Sequence, residues 1–317
     1  MSDPTAHTDV PADARSIVFS SYGEPEELRL TETPVPQPGP GQVLLRVRAA
    51  GVNPVDWKIR AGLLKDFFSV PLPHVPGLEG AGVVVALGEG VTARSVGDEV
   101  FGPITGAYAE YALADADRLA AKPADLTWEA AAGVYTSAET AARALDLLKV
   151  GAGETLLVHG AAGSVGGLVI QFAVAAGARV VGTASEANHD YLRELGAIPV
   201  VYGDGVFDRV REAAPEGVNA VLDAVGGAVA GSVELLGGPE RVVSIVAPAE
   251  AESAGARFTG AGDGEDRTEQ AHAQTLALHA AGTLNLPIRA TFPLAEAAEA
   301  HRLSAQGHGR GKIVLLP

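Results

Sequence analysis

The stretch LLVHGAAGSVGGLVIQFA, residues 156–173, joins an apolar run that reads as a buried strand to one that reads as a buried helix. Gly160, Gly163, Gly166 and Gly167 interrupt the junction. Glycine inside either element is destabilising by roughly 0.5–1 kcal/mol relative to alanine, so this density means that something must approach the backbone closely. The spacing Ala161-x-Gly163-x-x-Gly166 is a variant of the dinucleotide fingerprint, with alanine at the first small position. In this reading Gly163 admits a pyrophosphate to the backbone and Gly166 lets the helix pack closely on the strand. Ala161, Ala162, Gly163, Ser164, Val165 and Gly166 form the expected cofactor-binding turn, and the helix N-terminus offers free N–H groups and the positive end of its dipole. A second reading takes Ser164 as a hydrolase nucleophile on a strand-to-helix elbow, with Asp223 and His301 as partners. A phosphate loop of the Walker type is excluded, because no lysine follows the glycines.

Outward from this turn, residues after Trp128 alternate apolar strands with alanine-rich helices. Strands are expected at 155–159, 178–183, 198–201, 218–222 and 240–246, and helices at about 164–176, 187–195, 205–213 and 228–236. Such alternation predicts an α/β, doubly wound parallel sheet covered on both faces. Residues 15–119 read as β-rich, with runs such as QVLLRV at 42–47 and AGVVVAL at 81–87 and no helix of length before Trp128. The tail mixes a strand at 287–292, a helix at 294–304 and KIVLL at 312–316, and 249–270 reads as a polar, flexible surface segment.

Composition removes whole classes of function. The chain has 317 residues, enough for two domains, with 47% hydrophobic and 20% charged residues, as in ordinary globular proteins. A formal charge of −16 with no Lys/Arg cluster argues against nucleic acid and against acidic membrane surfaces as partners. No apolar run approaches the ~20 residues of a membrane span. There is no cysteine, hence no disulfide and no thiolate zinc site, which fits the reducing cytoplasm expected for this chain. Residues 1–14 are acidic, lack an apolar core and read as a disordered tail rather than a signal peptide.

Several ordered motifs then resemble one family. They are Asn53-Pro54-Val55-Asp56-Trp57-Lys58-Ile59-Arg60-Ala61-Gly62, Pro76-Gly77-Leu78-Glu79-Gly80-Ala81-Gly82, Val96-Gly97-Asp98-Glu99-Val100-Phe101, the turn at 161–166, Leu222-Asp223-Ala224-Val225-Gly226-Gly227, and Gly307 through Leu315. Together they resemble the zinc-free quinone oxidoreductase branch of the medium-chain dehydrogenase/reductase superfamily, over residues 15–317. The resemblance implies a Rossmann domain at 131–284 and a β-rich GroES-like catalytic domain at 15–130 and 285–317, in a homodimer.

It also implies that no catalytic metal is held. Zinc-dependent relatives carry a cysteine where this chain resembles them at Asn53 and a histidine where it has Leu78. His272 and His279, seven apart on an expected helix, stand ~10 Å apart along its axis, too far for one metal. The end of the second Rossmann strand, Val181-Gly182-Thr183-Ala184-Ser185, has no acid to bind a ribose 2′-hydroxyl, which favours NADPH. By resemblance Ser185, Asn188 and Tyr202 line the adenosine phosphate, with Thr183 a further cofactor contact and Ala187 where many relatives have a basic residue; Glu186 and His189 stand close by. Thr140 falls near the nicotinamide ribose, and the backbone from Ser244 through Val246 to Ala247 faces the carboxamide.

The implied reaction is hydride transfer to a quinone or an α,β-unsaturated carbonyl. It needs a donor on the carbonyl oxygen more than a nucleophile. Asn53 (also a cofactor contact) and Lys58 are the candidate donors, a solvated Lys58 being the plainer alternative; Asp56 is structural or nicotinamide-facing. Phe67 and Phe68 pack on a flat substrate or on core. Two alternatives stay open. Enoyl-thioester reductases of the same superfamily use a tyrosine where this chain has Leu64, and a non-catalytic NADPH-binding protein would share the turn.

Overall fold

The computed structural model describes residues 10–66, 69–260, 266–307 and 309–317. Most of the expected tail, together with Phe67, Phe68 and His308 of the C-terminal motif, lies outside the described residues. The chain forms two compact units. One takes the chain up to Thr136, the return from Pro287 and Lys312–Pro317; the other takes Ser137–Leu286 and Gly309–Gly311.

The first unit opens with β1 (Asp13–Val18), β2 (Arg29–Pro34), β3 (Gln42–Val52), α1 (Pro54–Arg60), β4 (Glu79–Leu87), β5 (Glu99–Pro103), β6 (Tyr111–Asp115) and β7 (Ala120–Ala121), and α2 (Trp128–Leu148) leads the chain onward. The second unit follows as β8 (Thr155–His159), α3 (Ser164–Ala175), β9 (Arg179–Ala184), α4 (His189–Glu194), β10 (Ile198–Val201), α5 (Val206–Ala213), β11 (Ala220–Asp223), α6 (Val229–Leu236), β12 (Val242–Ser244), α7 (Pro248–Ser253), β13 (Arg257–Phe258) and α8 (Thr268–Ala280). The chain then returns as β14 (Ile288–Pro293), α9 (Ala297–Ala305) and β15 (Lys312–Leu316).

In the second unit the six strands are parallel, in the order β10-β9-β8-β11-β12-β13. Counted within the unit this is 3-2-1-4-5-6, the doubly wound dinucleotide-binding order, whose direction reverses between β8 and β11. Leu156, Leu157 and Val158 of β8 are wholly buried, as a central strand covered on both faces requires.

In the first unit the main sheet runs β14-β15-β3-β4-β5-β7, and β6 also pairs with β3. Val43, Leu45, Val84, Val100, Ile104, Tyr108 and Leu315 centre its core. Two registers decide where polar side chains meet. Ile313 opposes Val52, which sets Lys312 beside Asn53, and Ala50 opposes Gly80, which sets Glu79 beside Gly51.

Three expectations are corrected. Residues 13 and 14 belong to β1, because Ala14 is buried in an apolar cluster with Val35, Leu44 and Val85. A seven-residue helix, α1, precedes Trp128; Pro54 opens it and Asp56 accepts the Asn53 N–H at 2.7 Å. The segment 249–270 is not wholly a loose surface. It contributes most of α7, the edge strand β13 and the start of α8, and Ala251 is fully buried. Among the described residues no helix is long and apolar enough to cross a membrane.

Candidate active site

In the second unit the glycine turn is built at backbone contact. Gly160 has φ +75°, and a Cβ there would lie 2.6 Å from Val225 Cγ1. A Cβ on Gly166 would lie 2.4 Å from the Gly160 carbonyl oxygen and 2.8 Å from Ala161 Cα, so only glycine lets α3 sit this close to β8. Gly163, the residue before α3, has an ordinary φ of −70°, and a Cβ there meets only the Gly160 oxygen, at 3.3 Å. The first N–H of α3 to bond back along the helix is that of Gly167, to Gly163 at 2.8 Å. The N–H groups of Ser164, Val165 and Gly166 precede it and have no carbonyl one turn back within the helix. With the helix dipole they make a site suited to an anion. Ala161 is buried, whereas Ala162 through Val165 are half-buried.

At the end of β9, Asn188 Nδ2 donates to Ser185 Oγ at 3.1 Å. Val201 pairs with Ala184, so the next residues, Tyr202 and Ser185, stand side by side at the carboxyl edge of the sheet. Tyr202 is 55% exposed there. Thr183 is different. It is buried, with its hydroxyl 3.3 Å from His159 Nδ1, so its side chain supports the edge from within. His159 is itself 3.3 Å from Ser232 Oγ, and burial pushes its pKa down to about 4.

On the other side of the reversal, Asp223 accepts from the Val225 and Gly226 N–H groups and from Ser244 Oγ at 2.8 Å. Ser244 Oγ in turn accepts from the Val246 and Ala247 N–H groups at 3.3 and 3.1 Å. The Ser244 side chain therefore shapes the loop, and exposed Val246 lies on it. Thr140 is half-buried on α2.

Sequence reasoning passed over Arg310. Its guanidinium lies 5.0 Å from the centroid of the Tyr191 ring. Tyr191 is one helical turn past Asn188, and a Cβ on Gly167 of α3 would lie 2.9 Å from its hydroxyl. A cation thus stands by the first turns of both α3 and α4. The sequence signal was the Gly-rich run 307–311.

In the first unit the side chain of Asn53 is turned away from the helix it opens. Its Nδ2 donates to Glu79 Oε1 at 2.7 Å and, at 3.5 Å, toward Thr136 Oγ1; its Oδ1 accepts from Lys312 Nζ at 2.6 Å. Lys312 Nζ also donates to Glu79 Oε1 at 2.7 Å, and Glu79 Oε2 accepts the Thr136 N–H at 2.8 Å. The side chains of Lys312 and Glu79 are only 2% and 0% exposed. Lys58 is not in this cluster: its ammonium lies 5.8 Å from the ring centroid of neighbouring Trp57. The lysine that reaches Asn53 is Lys312, which stood in the quoted C-terminal motif without a role.

A second chain of bonds runs from the same helix. Asp56 Oδ2 accepts the Asn53 N–H and, at 3.0 Å, the Tyr108 hydroxyl, which lies 3.2 Å from His301 Nε2. All three side chains are buried. Desolvation pushes the Asp56 carboxyl up to about 7 and the His301 imidazole down to about 3, and drives the Tyr108 phenol well above its ordinary value. The hydrolase reading finds its partners committed elsewhere: Asp223 to two amides and a hydroxyl, His301 to Tyr108.

A dinucleotide-binding sheet with a glycine-built turn, and a β-rich unit that gathers Asn53, Glu79 and Lys312, define a medium-chain dehydrogenase/reductase. Residues 39–124 match the family model described as alcohol dehydrogenase GroES-like domain, and 195–315 the one described as zinc-binding dehydrogenase. The chain is 33% identical to the synaptic vesicle membrane protein VAT-1 homolog of Rattus norvegicus, over 96% of this chain and 84% of that protein. It is 37% identical to an NADPH-dependent alkenal/one oxidoreductase, chloroplastic, of Arabidopsis thaliana, over 70% of this chain and 60% of that protein. The solved quinone oxidoreductase of Coxiella burnetii superposes with a TM-score of 0.81 at 32% identity, over 96% of this chain and 99% of that one. The chain belongs to the quinone oxidoreductase branch of the medium-chain dehydrogenase/reductase superfamily: it is an oxidoreductase with a nucleotide cofactor.

Proposed function

We propose that this protein reduces quinones or α,β-unsaturated carbonyl compounds with NADPH, as a cytoplasmic homodimer that needs no catalytic metal. The observation that carries the reading is the glycine-built opening of α3 beside a β9 that carries no acid and is followed by Ser185 and Asn188. These residues fit a nicotinamide dinucleotide phosphate. The backbone N–H groups of Ser164, Val165 and Gly166 would hold its pyrophosphate. Ser185, Asn188 and Tyr202 would hold the 2′-phosphate, with Arg310 adding positive charge on that side. Thr140 and the backbone from Ser244 to Ala247 would hold the nicotinamide end. Bound NADPH would supply the hydride.

Asn53 would donate its second amide hydrogen to the substrate's carbonyl oxygen, where negative charge grows most in the transition state. Asp56 would keep a structural role, bonded to the Asn53 N–H and to Tyr108. The reduced product would take its proton from water. Tyr108 does not replace the tyrosine of enoyl-thioester reductases, because its single hydroxyl proton is given to Asp56.

The test is NADPH oxidation by the purified protein against a panel of quinones, enones and enoyl thioesters. Turnover of quinones or enones above thioesters supports the reading. Tight NADPH binding with no turnover of any acceptor would make this a non-catalytic nucleotide-binding protein.

A further inference from the structure

Lys312 and Glu79 form a nearly dry ion pair. Breaking such a pair is costly, yet replacing it with neutral side chains of similar volume is often neutral or stabilising, so stability alone does not account for it. The surrounding backbone makes room for it. A Cβ on Gly51 would lie 2.4 Å from Glu79 Oε1 and 2.7 Å from the Ala132 oxygen, and one on Gly133 would press on the Lys312 side chain at 3.2 Å. The pair touches Asn53 at both ends of its amide: Lys312 on Oδ1, Glu79 on one hydrogen of Nδ2. This fixes which end of the amide is oxygen and which is nitrogen. It leaves the second Nδ2 hydrogen in only a long contact, 3.5 Å, with Thr136 Oγ1.

We infer that Lys312 and Glu79 are positioning residues, which lock the Asn53 amide so that its second hydrogen is turned to a substrate carbonyl oxygen. The inference rests on the donor role proposed above for Asn53. It gives β15 a part in the chemistry that its sequence does not advertise.

The test is a set of variants: Asn53→Ala, the paired replacement Lys312→Met/Glu79→Gln, and the triple combination. Because the paired replacement removes both charges together, it should remain folded where Lys312→Met alone strands a buried carboxylate. The paired variant is expected to melt near the wild type and to keep its KM for NADPH within about twofold, while kcat falls roughly tenfold. The triple variant should be no slower than Asn53→Ala, because the pair acts through that amide. A reading free of turnover comes from ¹⁵N-asparagine labelling: the Asn53 side-chain amide signal should shift and exchange faster in the paired variant.

Wild-type kcat in the paired variant, with Asn53→Ala impaired, would overturn the positioning role and leave the donor role standing. Wild-type kcat in Asn53→Ala would overturn both. An unmoved Asn53 amide signal in the paired variant would overturn the lock whatever the kinetics. If the paired variant does not fold, the wild type carries the test: the locked Asn53 side-chain amide should exchange its protons slowly, and exchange as fast as that of an exposed asparagine would overturn the lock.

Discussion

Tyr108 donates its hydroxyl to Asp56 Oδ2 at 3.0 Å and stands 3.2 Å from His301 Nε2, so two buried groups that titrate in opposite senses share one phenol. Because the phenol gives its proton to Asp56, His301 must present Nε2–H to it. The orphaned buried atoms are then His301 Nδ1 and Asp56 Oδ1, as observed.

That arrangement makes stability depend on pH in two opposed ways. The Asp56 carboxyl is raised from 3.8 to about 7, so the folded state holds a proton that the unfolded state has lost, and its contribution to stability falls as pH rises from about 4 to about 7. The imidazoles of His301 and His159 are lowered from 6.5 to about 3 and about 4, so each contribution is present above pH 6.5 and lost as pH falls toward those values. Asp56→Asn keeps an acceptor for the Asn53 N–H and for Tyr108 but cannot ionise. Its stability relative to wild type should improve between pH 5 and pH 8 by about 2–3 kcal/mol. Urea melts at the two pH values check this; a pH-independent difference would mean that Asp56 titrates normally in the fold.

Gly163 and Gly166 should separate binding from folding. A methyl group on Gly163 meets only one carbonyl oxygen at 3.3 Å on an ordinary backbone, so Gly163→Ala should fold with a melting temperature close to wild type. The proposed pyrophosphate site lies against this turn, so NADPH affinity should fall at least tenfold, or about 1.4 kcal/mol. Gly166→Ala forces its methyl to within 2.4 Å of the Gly160 oxygen and should lose about 1–3 kcal/mol of stability whether or not cofactor is present. Calorimetric titration and thermal melts distinguish the two. Undiminished NADPH binding by Gly163→Ala would place the pyrophosphate elsewhere.

The second unit was legible because local signals dominate there. The strand–helix alternation and the glycine spacing led to every strand from β8 to β12 and to the turn. β13 was missed: at two residues, Arg257 and Phe258, it carries no period, and only pairing with β12 makes it a strand. The first unit's polar cluster was not legible for a related reason. Asn53, Glu79 and Lys312 come from three distant places, and only the registers of β3 with β4 and of β3 with β15 unite them. Sequence spacing instead drew attention to Lys58, five residues from Asn53 and on the same helix. The inward bonds of Thr183 and Ser244, to His159 and Asp223, were not legible either, because they cross between strands that are distant in sequence.

The two lysines near Asn53 in sequence and in space can be told apart directly. Lys58 lies in the last turn of a short helix with its ammonium by the Trp57 ring, whereas Lys312 is bonded to the Asn53 amide itself. Lys58→Met should change kcat by less than about threefold, within the range of a surface charge near a site. Steady-state kinetics with one quinone and one enone suffice. A tenfold loss in Lys58→Met, larger for the enone, would make Lys58 the donor to the carbonyl oxygen.

Cofactor choice is the last test, and it turns on charge. Ser185 and Asn188 supply neutral hydrogen bonds to a 2′-phosphate, each worth roughly 1.5–3 kcal/mol gross to a charged group, and desolvation of the phosphate offsets part of this. A preference for NADPH over NADH on the order of 10–100-fold follows. Arg310, stacked on Tyr191 one turn from Asn188, is the cation whose removal should show. Arg310→Ala should lower the preference by about tenfold, through a higher KM for NADPH, with KM for NADH nearly unchanged. Ala187→Arg should act in the opposite direction, adding a bidentate partner beside Asn188. Both variants are measured as the ratio of kcat/KM for the two cofactors. If neither moves that ratio, the 2′-phosphate does not lie at the β9 edge. If only Arg310→Ala moves it, the phosphate lies on the Tyr191 side of Asn188, away from residue 187.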